Sequence, residues 1–238
     1  MAKGEKAAKQ AEGRARHLQA INEAKARRRE GPVLERKEAV KEDIPKILIV
    51  CEGKNTEPSY FRQFKLASAK IVVLGDGYNT VTLVAQAQRL SELDNYSQVW
   101  CVFDKDDFPA ADFNNAITTA QAAGFKVGYS NQSFEYWLIL HFNDHQGGGM
   151  HRNDYHDRIN ELLEPFGLSY EGEGSKIVTE DMFDLMMEII DEATGKTRLS
   201  VAIDRAERNY DHFDHASPAT EESSTTVFKL VTELMKYV

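Results

Sequence analysis

The sequence predicts an α/β fold: a mostly parallel sheet with helices on both faces, followed by a C-terminal helical flank. Three observations carry that prediction. From Ile44 onward, short apolar runs alternate four times with amphipathic stretches; the glycine run Gly147-Gly148-Gly149 ends the alternation; and beyond it the apolar residues recur at helix spacing. Such alternation implies right-handed crossovers, which bring the C-terminal ends of the strands to one functional rim.

Ile47-Leu48-Ile49-Val50-Cys51 is a continuous, largely β-branched run, as expected of a strand buried on both faces. Thr56-Glu57-Pro58 supplies a cap and a first-turn proline, so Tyr60, Phe61, Phe64 and Leu66 read as the helix that follows. A second strand falls on residues 71–74 with a helix over 81–93, and a third on 99–103 with a helix over 111–123. The fourth strand falls on 125–129 and its helix on 134–142. After the glycines, Leu199, Ala202, Ile203, Ala206, Tyr210 and Phe213 share one helical stripe, and Val227, Leu230, Val231, Leu234 and Met235 share another. Both stripes read as core-facing. The expected organisation is an arm over 1–43, helical or disordered, an α/β core over 44–146, and a helical flank over 147–238 packed on that core.

Composition narrows the function classes. The 238 residues are 42% hydrophobic and include 12 Phe, 9 Tyr and 2 Trp, enough to fill one sizeable core. Cys51 and Cys101 are too few for a disulfide framework or a thiolate zinc site and lie in apolar runs, so buried free thiols are expected. No stretch approaches the roughly 18 apolar residues of a membrane helix, and no apolar segment follows the charged N-terminus. A soluble, cytoplasmic protein is expected, with no membrane partner. The net charge of −9 conceals an asymmetry, because the arm is basic, peaking at Arg27-Arg28-Arg29, while the body is strongly acidic. An acidic body repels phosphate backbones unless metal ions or a local basic stripe intervene. The arm reads equally as a solubilising tail or as a segment that touches RNA or a partner.

Two strand ends carry carboxylates: Glu52 after the first strand, and Asp104 with Asp106 after the third. Parallel strands present these ends on one rim, and the alternation of Asp104 and Asp106 lets both side chains leave an extended segment on one side. Clustered carboxylates raise each other's pKa, a cost removed when a divalent cation shares them. Hard oxygen ligands without a cysteine pair point to Mg²⁺ or Mn²⁺. An isolated Asp-x-Asp is, in contrast, commonly an ordinary solvated loop.

These residues lie within longer motifs. Val50-Cys51-Glu52-Gly53-Lys54-Asn55-Thr56-Glu57-Pro58-Ser59-Tyr60-Phe61, then Trp100-Cys101-Val102-Phe103-Asp104-Lys105-Asp106-Asp107-Phe108, then Ser130-Asn131-Gln132-Ser133-Phe134-Glu135-Tyr136-Trp137-Leu138 with His141-Phe142, occur in that order. With Ser224-Thr225-Thr226-Val227 and Lys229-Leu230-Val231, they resemble the RloB-like proteins over about residues 46–236. The resemblance implies a Toprim-like core, a role in bacterial abortive infection or phage defence, and a partner that is sometimes an ATPase. It also implies a metal-dependent nuclease, although Toprim folds serve other phosphotransfer reactions too. By that resemblance the Toprim glutamate falls on Glu52 and its Asp-x-Asp on Asp104 and Asp106. Two departures stand out: Gln132 where the pattern has Pro, and Glu222-Ser223 where it has Asn-Pro.

Glu135 begins a helix, where a carboxylate favours the helix dipole with or without a metal, so catalysis and capping are both open. Lys54 and Lys105 flank the acidic residues and would serve either to neutralise a phosphate and protonate a leaving oxygen or as plain counter-charges. The loop Gly75-Asp76-Gly77-Tyr78-Asn79-Thr80 offers amides to a phosphate but lacks the third glycine of a dinucleotide fingerprint. Gly195-Lys196-Thr197 and Gly53-Lys54-Asn55-Thr56 lack the upstream glycine of a P-loop. His141, His145, His151 and His156, with Asp144, match no closed ligand template and read as a solvated loop. Phe134, Tyr136 and Trp137 read as packing residues.

The first functional expectation is phosphodiester hydrolysis with Mg²⁺ on Glu52, Asp104 and Asp106, acting on nucleic acid, RNA (tRNA included) before DNA. One rival is a receiver-like signalling module, in which Ser130 would take the part of a fourth-strand hydroxyl, although no fifth strand with a terminal lysine is evident. Another is a non-catalytic Toprim adaptor acting through a partner protein. An oligomer is compatible with all three.

Overall fold

The computed structural model describes residues 13–23, 25, 44–75, 77, 80–146, 148–170 and 176–238. The chain divides into two units, Met1–Asp43 and Ile44–Val238. In the first, residues 13–23 are helical and exposed; the Arg27-Arg28-Arg29 run lies outside the described residues.

In the second unit, strands and helices alternate: β1 (Lys46–Cys51), α1 (Thr56–Arg62), β2 (Lys70–Gly75), α2 (Thr80–Ser91), β3 (Gln98–Asp104), α3 (Ala110–Ala122), β4 (Lys126–Ser130) and α4 (Glu135–Leu140). The four strands form one parallel sheet in the order β2-β1-β3-β4, an α/β, Toprim-like arrangement as expected. Cys51 pairs with Gly75 and Val102, and Asp104 pairs with Ser130, so β1 and β3 end on the same rim.

Strand periodicity divides the interior into two cores. Ile47, Ile49 and Cys51 of β1, with Trp100 and Val102 of β3, face α1, α4 and the C-terminal helices. Leu48 and Val50, with Val99, Cys101 and Phe103, face α2 and α3 through Leu83, Phe113 and Ile117. Successive side chains of a strand point to opposite faces, so an unbroken apolar run signals helices on both sides. Both cysteines are buried free thiols. Phe134, Tyr136 and Trp137 are buried in the first of these cores.

The first helix is shorter than expected. It ends at Arg62, and the amides of Gln63 and Phe64 turn back to Tyr60 O and Phe61 O. Phe64 keeps its buried place by an edge contact with Phe183, at 5.0 Å between ring centroids, rather than by continuing the helix.

The flank comprises α5 (Arg152–Leu163), α6 (Glu180–Met187), α7 (Arg198–Tyr210) and α8 (Val227–Leu234). It is not wholly helical. β5 (Ile189–Asp191) and β6 (Lys196–Thr197) form an antiparallel pair whose turn holds Gly195 at φ 67°. That pair is solvent-facing, with Ile189 55% exposed, so no buried alternation marks it in the sequence. Gly195-Lys196-Thr197 runs from the hairpin turn through β6 to the N-cap of α7, where Thr197 Oγ1 already accepts from Ser200 N at 3.1 Å in a capping box. Leu199, Ala202 and Ala206 of α7 are buried, whereas Phe213 lies beyond its end; Val227, Leu230, Val231 and Leu234 of α8 are buried, whereas Met235 is exposed. Among the described residues no helix is long and apolar enough to cross a membrane.

The chain before α8 completes the sheet edge. Thr226 N donates to Tyr129 O at 2.7 Å, Tyr129 N donates to Thr226 Oγ1 at 2.8 Å, and Asn131 N donates to Ser224 O at 2.8 Å. Ser130 and Thr225 form an antiparallel bridge and share a hydroxyl hydrogen bond of 2.9 Å.

His141, at the C-cap of α4, is buried, and its Nδ1 bonds to Trp137 O at 3.0 Å. Burial pulls its pKa down to about 4. The unfolded chain therefore takes up this proton first, and stability from His141, complete above pH 6.5, is lost as pH falls towards 4. The full effect is about 3 kcal/mol at ~1.4 kcal/mol per pH unit. His141→Asn, which keeps a donor for the Trp137 carbonyl, should lack this acid-side loss in denaturant titrations between pH 4 and 6.5 when compared with the wild type.

Candidate active site

Glu52 follows β1 by one residue, and its N–H donates to Val102 O at 2.8 Å, continuing the ladder to β3. Its Oε2 accepts from Asp104 N at 3.2 Å, and its Oε1 accepts from the Thr80 hydroxyl at 3.1 Å. Asp104 closes β3. Its Oδ2 accepts from Phe134 N at 3.0 Å, while its Oδ1 is buried without a hydrogen-bond partner. Asp106 lies in the turn beyond, with φ 44°, and its carboxylate pairs with the Arg152 guanidinium at the start of α5. Burial raises the pKa of all three carboxyls; for Asp104 the rise is large and is reinforced by Glu57, Asp106 and Glu135. The expected convergence of Glu52, Asp104 and Asp106 is therefore present as geometry: they line one cleft of about 190 Å³.

A fourth carboxylate, Glu57, lines the same cleft. In the sequence it belongs to the helix start, and nothing in its spacing distinguishes it from a first-turn acid. In the structure it turns back on the loop that carries Glu52, and its Oε1 accepts from Gly53 N at 3.2 Å. A Cβ at residue 53 would stand 2.2 Å from the Glu57 carboxylate, so only glycine permits this approach. Gly75 meets the same demand from the other side, where a Cβ would stand 2.2 Å from Gly53 O. Burial, with Glu135 adding repulsion, pushes the Glu57 pKa up to about 7.

Glu135, 4% exposed, is the first residue of α4. Its carboxylate accepts from the Ser133 hydroxyl, from Tyr170 OH at 2.9 Å and from Lys176 Nζ at 3.1 Å. Burial works to raise its pKa, but Lys176 and Ser133 hold it below the ordinary value. This is more than a helix cap: Tyr170 and Lys176 reach it from the flank, and both also meet the first residue of α1, where Thr56 Oγ1 lies 2.7 Å from Tyr170 OH and donates to Lys176 O at 3.0 Å. Lys54 is exposed on the lip of the cleft. Lys105 donates instead to the carbonyl of Asp106 at 3.1 Å and does not line the cleft. Thr80, Glu57, Arg152, Tyr170 and Lys176 are the residues that sequence reasoning missed. Arg152 and Lys176 lie in the flank, with no motif beside them.

Other candidates separate. His141 is buried in the core rather than in a solvated loop, His145 bonds to Gly148 O, His151 caps α5, and His156 meets Asn160. Ser130 is buried and committed to Thr225, and the parallel sheet has four strands among the described residues, so the receiver-like arrangement is not formed. Of the glycine-containing loop after β2, Asp76, Tyr78 and Asn79 lie outside the described residues. The two departures from the motif pattern meet each other: Gln132 Nε2 donates to Glu222 Oε1 at 2.6 Å. Gln132 has φ 67°, a conformation closed to proline.

Among the described residues no three His, Cys, Asp or Glu side chains already stand as a ligand set. The donor chemistry nevertheless fits a hard divalent cation, because the Asp104 Oδ1 atom is buried and unpartnered beside carboxylates whose burial favours neutralisation.

Glu57 gives a test that needs no substrate. Its folded pKa lies above the ordinary 4.5, so the native state holds a proton that the unfolded chain releases, and stability falls as pH rises from 4.5 to 7. Glu57→Gln should remove that fall. Its melting temperature should match the wild type near pH 4.5 and exceed it at pH 8 without divalent ions, by the equivalent of about 3 kcal/mol.

The family model for RloB-like proteins matches residues 47–234. No curated protein and no solved structure matches the chain. The matched span runs from β1 to the end of α8 and takes in the sheet, the whole acidic cleft and the two cations that reach it from the flank, so the chain belongs to the RloB-like protein family.

Proposed function

We propose that the protein is a metal-dependent phosphodiesterase that cuts nucleic acid, RNA in preference to DNA, in bacterial abortive infection or phage defence. The observation that carries the proposal is the buried, unpartnered Asp104 Oδ1 within a cleft that Glu52 and Asp106 also line. Mg²⁺ or Mn²⁺ held by these three carboxylates would activate water and neutralise charge on the phosphate. Asp104 N and Thr80 fix the Glu52 carboxylate, and Phe134 N fixes Asp104, so both acids are oriented before any ligand arrives. In hydrolysis a water oxygen bonds to phosphorus, the bond from phosphorus to the leaving oxygen breaks, and that oxygen gains a proton. Lys54, on the lip, is placed to supply that proton or to meet the phosphate charge. Glu135 is bonded to Ser133, Tyr170 and Lys176 and serves to position the Lys176 ammonium. The basic arm, by its charge, would serve substrate capture, and the ATPase partner that the family resemblance implies would serve control.

The test is cleavage of tRNA, single-stranded RNA and plasmid DNA by purified protein, with and without Mg²⁺. Glu52→Gln and Asp104→Asn should each lower the rate at least 100-fold, the scale of losing a principal charge-stabilising element. Asp104→Asn should melt no lower than the wild type, since burial already favours the neutral form of this side chain. Retained cleavage in both variants overturns the assignment. Mg²⁺ binding without cleavage of any substrate would favour the non-catalytic adaptor.

A further inference from the structure

We infer that Arg152 is both the occupant of the cation position in the metal-free protein and the residue that receives the substrate phosphate once metal has displaced it. The inference rests on the proposed phosphodiesterase reading and assigns a role to a residue outside the acidic motifs. Arg152 is the first residue of α5, and among the described residues its guanidinium bonds only to the Asp106 carboxylate. A guanidinium carries five N–H donors in a planar fork, so most of its capacity is unspent in this pairing. The side chain is 38% exposed and lines the mouth of the cleft, where it feels the charges of Asp104 and Glu135 as well.

The other cation that reaches the cleft from the flank is held differently. Lys176 bonds to Glu135, a residue outside the Asp-x-Asp pair, and that same carboxylate oxygen is shared with Tyr170. Its own carbonyl is tied to Thr56. Lys176 is therefore fastened at both its head and its backbone, whereas Arg152 is held by one ion pair that a divalent cation on Asp106 would break. A guanidinium released at the mouth of the cleft has a phosphate as its natural bidentate partner. The exchange replaces a monovalent charge on Asp106 with a divalent one and turns the displaced positive charge towards the incoming anion. Metal loading would thereby make the entrance less repulsive to phosphate.

This model predicts opposite changes in two affinities. In full-chain protein, Arg152→Gln should bind Mn²⁺ more tightly, by roughly three- to tenfold, because the competing ion pair is gone. This is read as free Mn²⁺ by electron paramagnetic resonance, without any turnover. The same variant should bind a labelled single-stranded RNA oligonucleotide, with Ca²⁺ in place of Mg²⁺, about tenfold more weakly. Arg152→Lys, which keeps the charge and loses the fork, should return Mn²⁺ affinity towards the wild-type value and recover only part of the RNA affinity. Unchanged or weaker Mn²⁺ binding by Arg152→Gln would show that Arg152 merely braces Asp106, and would overturn the inference while leaving the phosphodiesterase reading intact. A wild-type protein that takes up no Mn²⁺ would overturn both.

Discussion

Negative charge withdrawn from water is the constraint on which the rest of this structure depends. Glu52, Glu57, Asp104, Asp106 and Glu135 share one cleft, and an ionised carboxylate in such a place needs donors or a cation close by. The chain supplies these donors one by one. Backbone amides of Asp104, Gly53 and Phe134 serve Glu52, Glu57 and Asp104; hydroxyls of Thr80, Ser133 and Tyr170 serve Glu52 and Glu135; Arg152 and Lys176 bring positive charge. The glycines at 53 and 75 follow from the same demand, since a side chain at 53 would displace the Glu57 carboxylate and one at 75 would collide with the Gly53 carbonyl. Asp104 Oδ1 has neither a hydrogen bond nor an ion pair among the described residues, and Asp106 Oδ1 has only its ion pair with Arg152, so the protein's own provision stops at these two oxygens.

The division of the interior explains how so polar a cluster is held. Each strand sends alternate residues to opposite cores, so β1 and β3 are clamped from both sides and their C-terminal ends are fixed in register. The core shared by α1 and α4 is dense in aromatic rings, with Tyr60 in edge contact with Phe61, Phe64, Phe134 and Trp137. It packs directly beneath the helices that carry Glu57 and Glu135, which makes the rim rigid from below. The flank contributes on a different principle, by bringing Tyr170 and Lys176 to Thr56 at the start of α1 and by setting Arg152 at the start of α5.

The sheet and its acids were legible because their signals are local. Ile47 to Cys51 declares a doubly buried strand by its unbroken apolar run, and Glu52 sits where any parallel strand would present it. Asp104 follows in the same way from the run ending at Phe103, whereas Asp106 stands in a turn at φ 44° and not on the extended segment that the alternation led one to expect. Glu57 was not legible, because a first-turn acid beside a proline looks identical whether it faces solvent or folds back on Gly53. Arg152 and Lys176 were not legible either, since each reaches its carboxylate partner, Asp106 or Glu135, from more than 40 residues further along the chain, a distance no periodicity spans. The β5–β6 pair escaped for the opposite reason: it is local but faces solvent, and so it has no buried alternation to read. His141 shows the limit of grouping by residue type, because its neighbours in sequence point to separate surroundings while it packs against Tyr60 and Trp137.

The Ser224–Thr226 segment has a further consequence, for how this molecule meets copies of itself. An open outer strand offers unpaired amides and carbonyls to any passing chain, and proteins must blunt such edges to avoid growth of the sheet from one molecule into the next. On β4 the groups of Tyr129, Ser130 and Asn131 are already spent on Thr226, Thr225 and Ser224. On the opposite margin, Arg62 caps the Val73 carbonyl at 3.2 Å and Lys70 stands exposed. Strand-to-strand fusion is thus discouraged at both margins of the described sheet.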